Sequence, residues 1–197
     1  MCFNMSSPES IIMKCGMAQL GDYIGLPTKM PANLRDGKLL DAQAGFETGM
    51  GGLAGAYTCD FIVAMQLDMD IMVDYADLIY SDECMKILQR MVRPLDFSDE
   101  TLAYDNMEEV GPGNTFLETD HTFDHYRDEI WMPQVMERGT YENWEAKGKK
   151  DIRQVCLEKV QKILKEVENE ELLPKEVRDA IGEIAAGSEE KAKNIKR

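Results

Sequence analysis

Histidine occurs only twice in the 197 residues, no two cysteines have the CxxC spacing, and no window approaches the roughly 18–20 apolar residues of a membrane span. The missing apolar run excludes a transmembrane helix. Met1 opens no basic-then-apolar leader, so no secretory signal is expected. The five cysteines (Cys2, Cys15, Cys59, Cys84, Cys156) are odd in number and far apart, which argues against a disulfide framework. Reduced thiols in a cytoplasmic protein are expected. No serine or cysteine stands in a nucleophile motif. Basic groups are scarce too, 22 against 37 acidic ones. The net charge of −15 is concentrated: residues 66–130 carry four basic and seventeen acidic groups, a net −13. That balance argues against nucleic-acid binding, which needs a basic surface. It leaves two readings, solvated acidic faces or a field that attracts a cation or a partner.

What is present centres on residues 41–70, DAQAGFETGMGGLAGAYTCDFIVAMQLDMD. Gly45, Gly49, Gly51, Gly52 and Gly55 each cost a helix interior about 1 kcal/mol relative to Ala. Gly45, Gly49, Gly52 and Ala56 recur at helical spacing, so a helix here presents one bare face to a close neighbour. The run Phe61–Met65 is short, apolar and partly β-branched, which suits a strand buried on both sides. A helix feeding a buried strand is half of a βαβ unit.

The rest of the chain reads as helices. Ser7-Pro8-Glu9 is a helix start, with Ser7 as N-cap, and the helix runs to about Tyr23 before Gly25. Leu26–Thr28 is a candidate short strand with Pro27 at its edge. The polar stretch 29–40, with Pro31 and Asp36-Gly37, is a loop. Helices are expected over 75–92, after Ser98 through Leu102 and Met107, after Thr122 as cap, over 152–167, and from Val177 to Gly187. Glu109-Val-Gly-Pro-Gly113 is a break, either a tight turn or an amide-lined anion cradle. Two strands against six or so helices leave two possibilities: a helical protein with a small β element, or the end of a larger α/β chain.

Candidate chemistry gathers near the strand ends. If the two strands are barrel neighbours, their following loops lie on one face, where barrels place chemistry. Asp36, Lys38, Asp41 and Gln43 then meet Gln66, Asp68 and Tyr75. The competing reading is turn chemistry, Asp36 before Gly37 and Asp41 as the N-cap of the glycine-rich helix, and for Asp41 the cap reading is the favoured one. His121 and His125 have the i, i+4 spacing of metal ligands, but no third ligand stands out in the sequence, so no metal site is expected. The fourteen methionines read as core filler.

Several phrases together resemble the trimethylamine methyltransferase family. They are Ser7-Pro-Glu-Ser10, Tyr23-Ile-Gly-Leu-Pro27, Asp41-Ala-Gln-Ala-Gly-Phe-Glu47, Glu109-Val-Gly-Pro-Gly113 with Phe116-Leu117, and His121-Thr122 followed by Arg127 and Trp131. The resemblance departs at Asn114 and Thr115, where the family has a further glycine and often a histidine. It implies an α/β fold: the C-terminal part of a TIM (β/α)8 barrel, with about two strands and a helix-rich C-terminal extension. The expected division is 1–93 for the βα units, 94–187 for the extension and 188–197 for a charged tail. The implied activity moves a methyl group from a tertiary or quaternary amine, betaine-like, to the cobalt of a separate corrinoid protein. The corrinoid is carried by that partner and not bound directly, and the full-length protein is a homo-oligomer. Some family members carry pyrrolysine and none occurs here, which fits the betaine-demethylating branch better. A quaternary ammonium is held by cation–π contacts and carboxylates. Phe46, Tyr57 and Tyr75, with Gln66, Asp68 and Asp70, are the substrate-binding candidates on that basis. The first rival reading is a non-catalytic helical docking module or fragment that keeps the family's C-terminal surface, and the second is a metal-binding helical protein using His121 and His125.

Overall fold

The computed structural model describes residues 4–63, 66–168 and 173–194. In chain order these form α1 (Pro8–Tyr23), β1 (Lys29–Met30), α2 (Ala42–Thr58), β2 (Phe61–Ile62), α3 (Tyr75–Met91), α4 (Asp99–Leu102), α5 (Tyr104–Val110), α6 (Asp120–Glu129), α7 (Tyr141–Ala146), α8 (Ile152–Val167) and α9 (Lys175–Asn194). The fold is mixed α/β and mostly helical, with two parallel strands among the described residues. The chain divides into two compact units, Met1–Val160 and Gln161–Arg197. No helix among the described residues is long and apolar enough to cross a membrane. Cys15, Cys59, Cys84 and Cys156 are free thiols.

Local capping chemistry sets most helix starts. The Ser7 side chain accepts from the Ser10 amide with Pro8 first in α1, and Gly25 follows the helix at φ 72°. Asp41 accepts from the Gln43 and Ala44 amides and starts α2, so the capping reading of Asp41 holds. Asp74 caps α3 and Ser98 caps α4. Three expectations are corrected. The helix start assigned to Thr122 belongs to Thr119, whose hydroxyl accepts from the Thr122 amide. The single helix expected through Leu102 and Met107 is split at Ala103, which sits at φ 48°. The last helix runs through Gly187 to Asn194, because neighbouring good helix formers such as Ala185 and Ala186 outweigh one glycine.

The sheet is small. Lys29 pairs with Phe61 and Met30 with Ile62, in parallel, with α2 as the crossover between them. The first strand therefore lies beyond the expected Leu26–Thr28. Pro27 has no amide to give a ladder, and pairing begins where the Thr28 carbonyl accepts from the Phe61 amide at 3.1 Å. The second strand was expected over Phe61–Met65, of which Ala64 and Met65 lie outside the described residues. It is not buried on both faces. Ile62 packs with Ile11, Met30 and Ala32, while Phe61, pointing the opposite way, is 61% exposed.

The glycines of α2 work as expected in kind but not in position. A Cβ on Gly51 would lie 2.0 Å from the Ala32 carbonyl oxygen, and one on Gly55 would lie 2.9 Å from the Ala32 Cβ. Gly51 is thus where backbone meets backbone, and Gly55, one turn on, makes room for the Ala32 methyl and the Ile62 side chain. Gly45 and Gly52 face side chains of α3 instead, Tyr80 and Leu88, and Gly49 meets nothing within 4 Å. A second core joins Leu40, Ala76, Val135 and Cys156, with Ile79, Ile152 and Val155 packed on it. Glu83 of α3 locks this core: its buried carboxylate accepts from the amides of Gln134 (2.6 Å), Val135 (3.0 Å) and Met136 (2.7 Å).

Candidate functional site

Both loops that follow the parallel strands leave from the same edge and are stitched together by backbone. The Arg35 amide donates to the Gln66 carbonyl (3.1 Å), Met69 to the Arg35 carbonyl (2.8 Å) and Asp68 to the Gly37 carbonyl (3.0 Å). Leu34 and Gln66 form a parallel bridge, and Leu67 and Met72 close the second loop by exchanging both hydrogen bonds. Inside that closed loop Asp68, Met69 and Asp70 stand at φ 49°, 55° and 82°. Three consecutive non-glycine residues in the left-handed region are costly, and such strain is held where the surroundings over-determine it, often at functional sites. Here the Asp68 and Met69 amides are fixed by the neighbouring loop.

Buried charge supports the junction from below. The Arg35 guanidinium is fully buried, donates to Thr48 Oγ1 (3.2 Å) and pairs with the Asp77 carboxylate. Burial pushes the Asp77 carboxyl above its ordinary range, with Arg35 pulling the other way. Glu47, 7% exposed, accepts from the amides of Asp36 (2.8 Å) and Gly37 (3.1 Å) and from Gln43 Nε2 (2.7 Å). The Asp36 carboxylate in turn accepts from the Met5 (3.0 Å) and Ser6 (3.2 Å) amides. Four carboxylates or cations are thereby spent on holding backbone and one another.

Of the candidates named from sequence, Asp36, Lys38, Gln43, Gln66 and Asp68 do converge here. Lys38 Nζ lies 2.9 Å from Asp68 Oδ1, and that hydrogen bond raises the lysine's pKa. Asp41 caps α2, and Asp70 and Tyr75 flank the junction as exposed side chains. Phe46 and Tyr57 do not join it as a pair. They are 70% and 67% exposed on α2. Eleven residues of helix separate their backbones by about 16 Å, too far to cage one small ammonium together. Phe46 instead lines an apolar cavity of about 580 Å³ between α2 and α3, with Tyr80, Leu88 and Met91. Sequence reading missed Arg35, Glu47 and Asp77. Charged side chains are ordinarily placed outside, and the one signal was Arg35 lying between Leu34 and Asp36-Gly37 in a loop.

Elsewhere in the Met1–Val160 unit, the two histidines meet a third donor. His125 Nε2 lies 3.0 Å from Glu100 Oε1, and His121 Nε2 lies 2.8 Å from the Glu100 carbonyl oxygen.

Two parallel strands joined through a glycine-rich helix, with their following loops knitted at one edge, define a βαβ unit. The chain matches the family model described as trimethylamine methyltransferase over residues 3–191, and it belongs to that family. It is 30% identical to trimethylamine methyltransferase MttB of Desulfitobacterium hafniense (strain DSM 10664 / DCB-2), over 94% of this chain and 38% of that protein. It is 32% identical to the glycine betaine methyltransferase of D. hafniense strain Y51, over 82% of this chain and 34% of the relative. It is also 32% identical to trimethylamine methyltransferase MttB2 of Methanosarcina mazei, over 82% of this chain and 33% of the relative. The chain thus spans about a third of the length of the curated relatives it matches.

Proposed function

We propose that this chain is the carboxy-terminal part of a (β/α)8-barrel methyltransferase. The whole protein would move a methyl group from a tertiary or quaternary amine, betaine-like, to the cobalt of a corrinoid held by a partner protein. The chain alone would be inactive. The observation that carries this reading is the stitched loop junction at the carboxyl ends of β1 and β2, where it holds Asp68 in a left-handed turn. That is the end of a parallel βα unit where ligands bind. The relatives' names support an amine methyl donor. The free thiols fit a cytoplasmic setting.

The junction's exposed rim, Ile71, Val73 and Tyr75 beside Asp68 and Asp70, suits a ligand that is cationic at its centre and greasy around it. When docked by its carrier, the corrinoid supplies a cobalt nucleophile for the methyl carbon. The role of this chain's residues is to hold the donor, align its N–CH3 bond and keep water away. The N–C bond breaks with its electron pair staying on nitrogen, so the cationic charge disappears as the neutral amine leaves. A carboxylate at Asp68 therefore stabilises bound substrate more than the transition state, and serves affinity more than turnover.

The test uses a chimera in which this chain replaces the matching segment of the D. hafniense glycine betaine methyltransferase. Methylation of cob(I)alamin is followed by absorbance with glycine betaine and with trimethylamine. The chimera is expected to transfer and the isolated chain is not. Asp68→Asn in the chimera is expected to raise KM about tenfold and to raise kcat modestly, since the bound substrate loses more stabilisation than the transition state. A folded chimera that transfers from neither amine would refute the function and leave the docking-module reading. Transfer by the isolated chain would refute its being a part.

A further inference from the structure

We infer that Glu100, His121 and His125 form a divalent-cation site, with zinc the ion their donors suit best, that pins α4 to α6. The sequence offers only the two histidines one turn apart, and the fold adds the third donor from twenty-one residues upstream. One donor atom from each of the three side chains lies within 4.8 Å of the others. The imidazole rings stand against each other with centroids 4.4 Å apart.

The hydrogen bonds prepare these groups for a metal. A carbonyl can only accept, so His121 Nε2 carries the proton in its 2.8 Å bond to the Glu100 carbonyl and Nδ1 keeps its lone pair. Metal-binding histidines are commonly oriented by this kind of bond from the far ring nitrogen to a backbone carbonyl. His125 Nε2 donates its proton in a hydrogen bond to Glu100 Oε1, 3.0 Å away. A metal at about 2.0–2.2 Å from each would replace that proton and bridge the same two atoms. The Glu100 side chain is 74% exposed and free to swing inward. Two imidazoles and one carboxylate favour zinc over the hard cations that prefer all-oxygen shells, and a water would complete four-coordination.

The surroundings favour a cation. Asp99 and Asp105 line a cavity of about 390 Å³ with Glu100 and His121, within the segment of net charge −13. The consequence is structural. A four-residue helix cannot hold itself, and a bound ion would tie α4 to the ten-residue α6 and stabilise both by binding only the folded form.

The test is a titration of the purified chain with Zn²⁺ by calorimetry and with Co²⁺ by visible absorption. One ion per chain is expected, with the d–d bands of a tetrahedral nitrogen and oxygen set. His121→Ala, His125→Ala and Glu100→Gln are each expected to weaken Zn²⁺ binding at least tenfold, while Glu108→Gln leaves it unchanged. Circular dichroism distinguishes loss of the site from loss of the fold. Unaltered stoichiometry and affinity in folded His125→Ala would overturn the site. So would a thiolate-to-cobalt band in the near ultraviolet, which would place the ion on a cysteine.

Discussion

Between Asn33 and Asp77 three charged side chains go into the protein, whereas between Asp96 and Glu129 none is buried. Arg35, Glu47 and Asp77 are at most 7% exposed, and each is engaged by another polar group of the strand-loop region. In the second region Glu129 bridges Arg90 (2.5 Å) and Arg93 (3.1 Å) at the surface, and Asp96 holds the exposed start of α4. The same residue types thus do two jobs. Buried, they fix the register of two loops with few alternatives, since an unmet charge inside is severely penalised. Exposed, they decorate short helices whose geometry comes from caps.

Removing one partner of the buried pair should separate the regions most sharply. Arg35→Ala leaves the Asp77 carboxylate inside without its counter-charge and should cost roughly 3–5 kcal/mol in urea unfolding. The double change Arg35→Met with Asp77→Leu removes both charges and should recover most of that loss. If the single substitution costs under 1 kcal/mol, the loop junction is not organised by this pair.

A smaller effect distinguishes two glycines of one helix. Gly51→Ala drives a methyl against the Ala32 carbonyl oxygen, which is backbone and cannot rotate away, so α2 must shift from β1 at a cost of about 1–3 kcal/mol. Gly49→Ala enters open space and should stabilise the helix by about 0.5–1 kcal/mol. Equal denaturation midpoints for the two variants would mean that the close approach of α2 to the chain after β1 does not exist in solution.

The sequence made legible what is decided locally. Ser7, Asp41 and Ser98 announce helix starts because a short polar side chain before a helix has one favoured task. The bounds of α8 follow from its apolar spacing. The convergence of Lys38 and Asp68 was also legible, because parallel strands joined by one helix must present their loops on one edge. What stayed hidden is non-local. Nothing near Arg35 names Asp77 forty-two residues on, and nothing near the histidines names Glu100. Phe46 and Tyr57 were grouped by chemistry, and helix geometry pulls them apart. Gly51 and Gly55 were passed over for the Gly45–Gly49–Gly52 row, because spacing defines faces without saying which face meets the strand.

The least of the expected effects lies in the exposed region and concerns acid. Asp96 accepts from the Ser98 amide (2.9 Å), from Thr101 Oγ1 (2.9 Å) and from Ser98 Oγ (3.1 Å). These bonds, the Ser98 amide first, hold its pKa below the ordinary 3.8, with nearby Arg93 adding to the pull. A carboxyl depressed in the folded state contributes stability that is present above its unfolded value and lost as pH falls through the folded one. The start of α4 should therefore loosen only below about pH 3.8, with the Asp96 carboxyl titrating below that point by carbon-detected NMR. Asp96→Asn should remove that acid limb while leaving neutral-pH melting almost unchanged, since the group lies at the surface. A large loss of stability at neutral pH in this variant would place Asp96 among the buried, register-fixing charges and erase the contrast between the two regions.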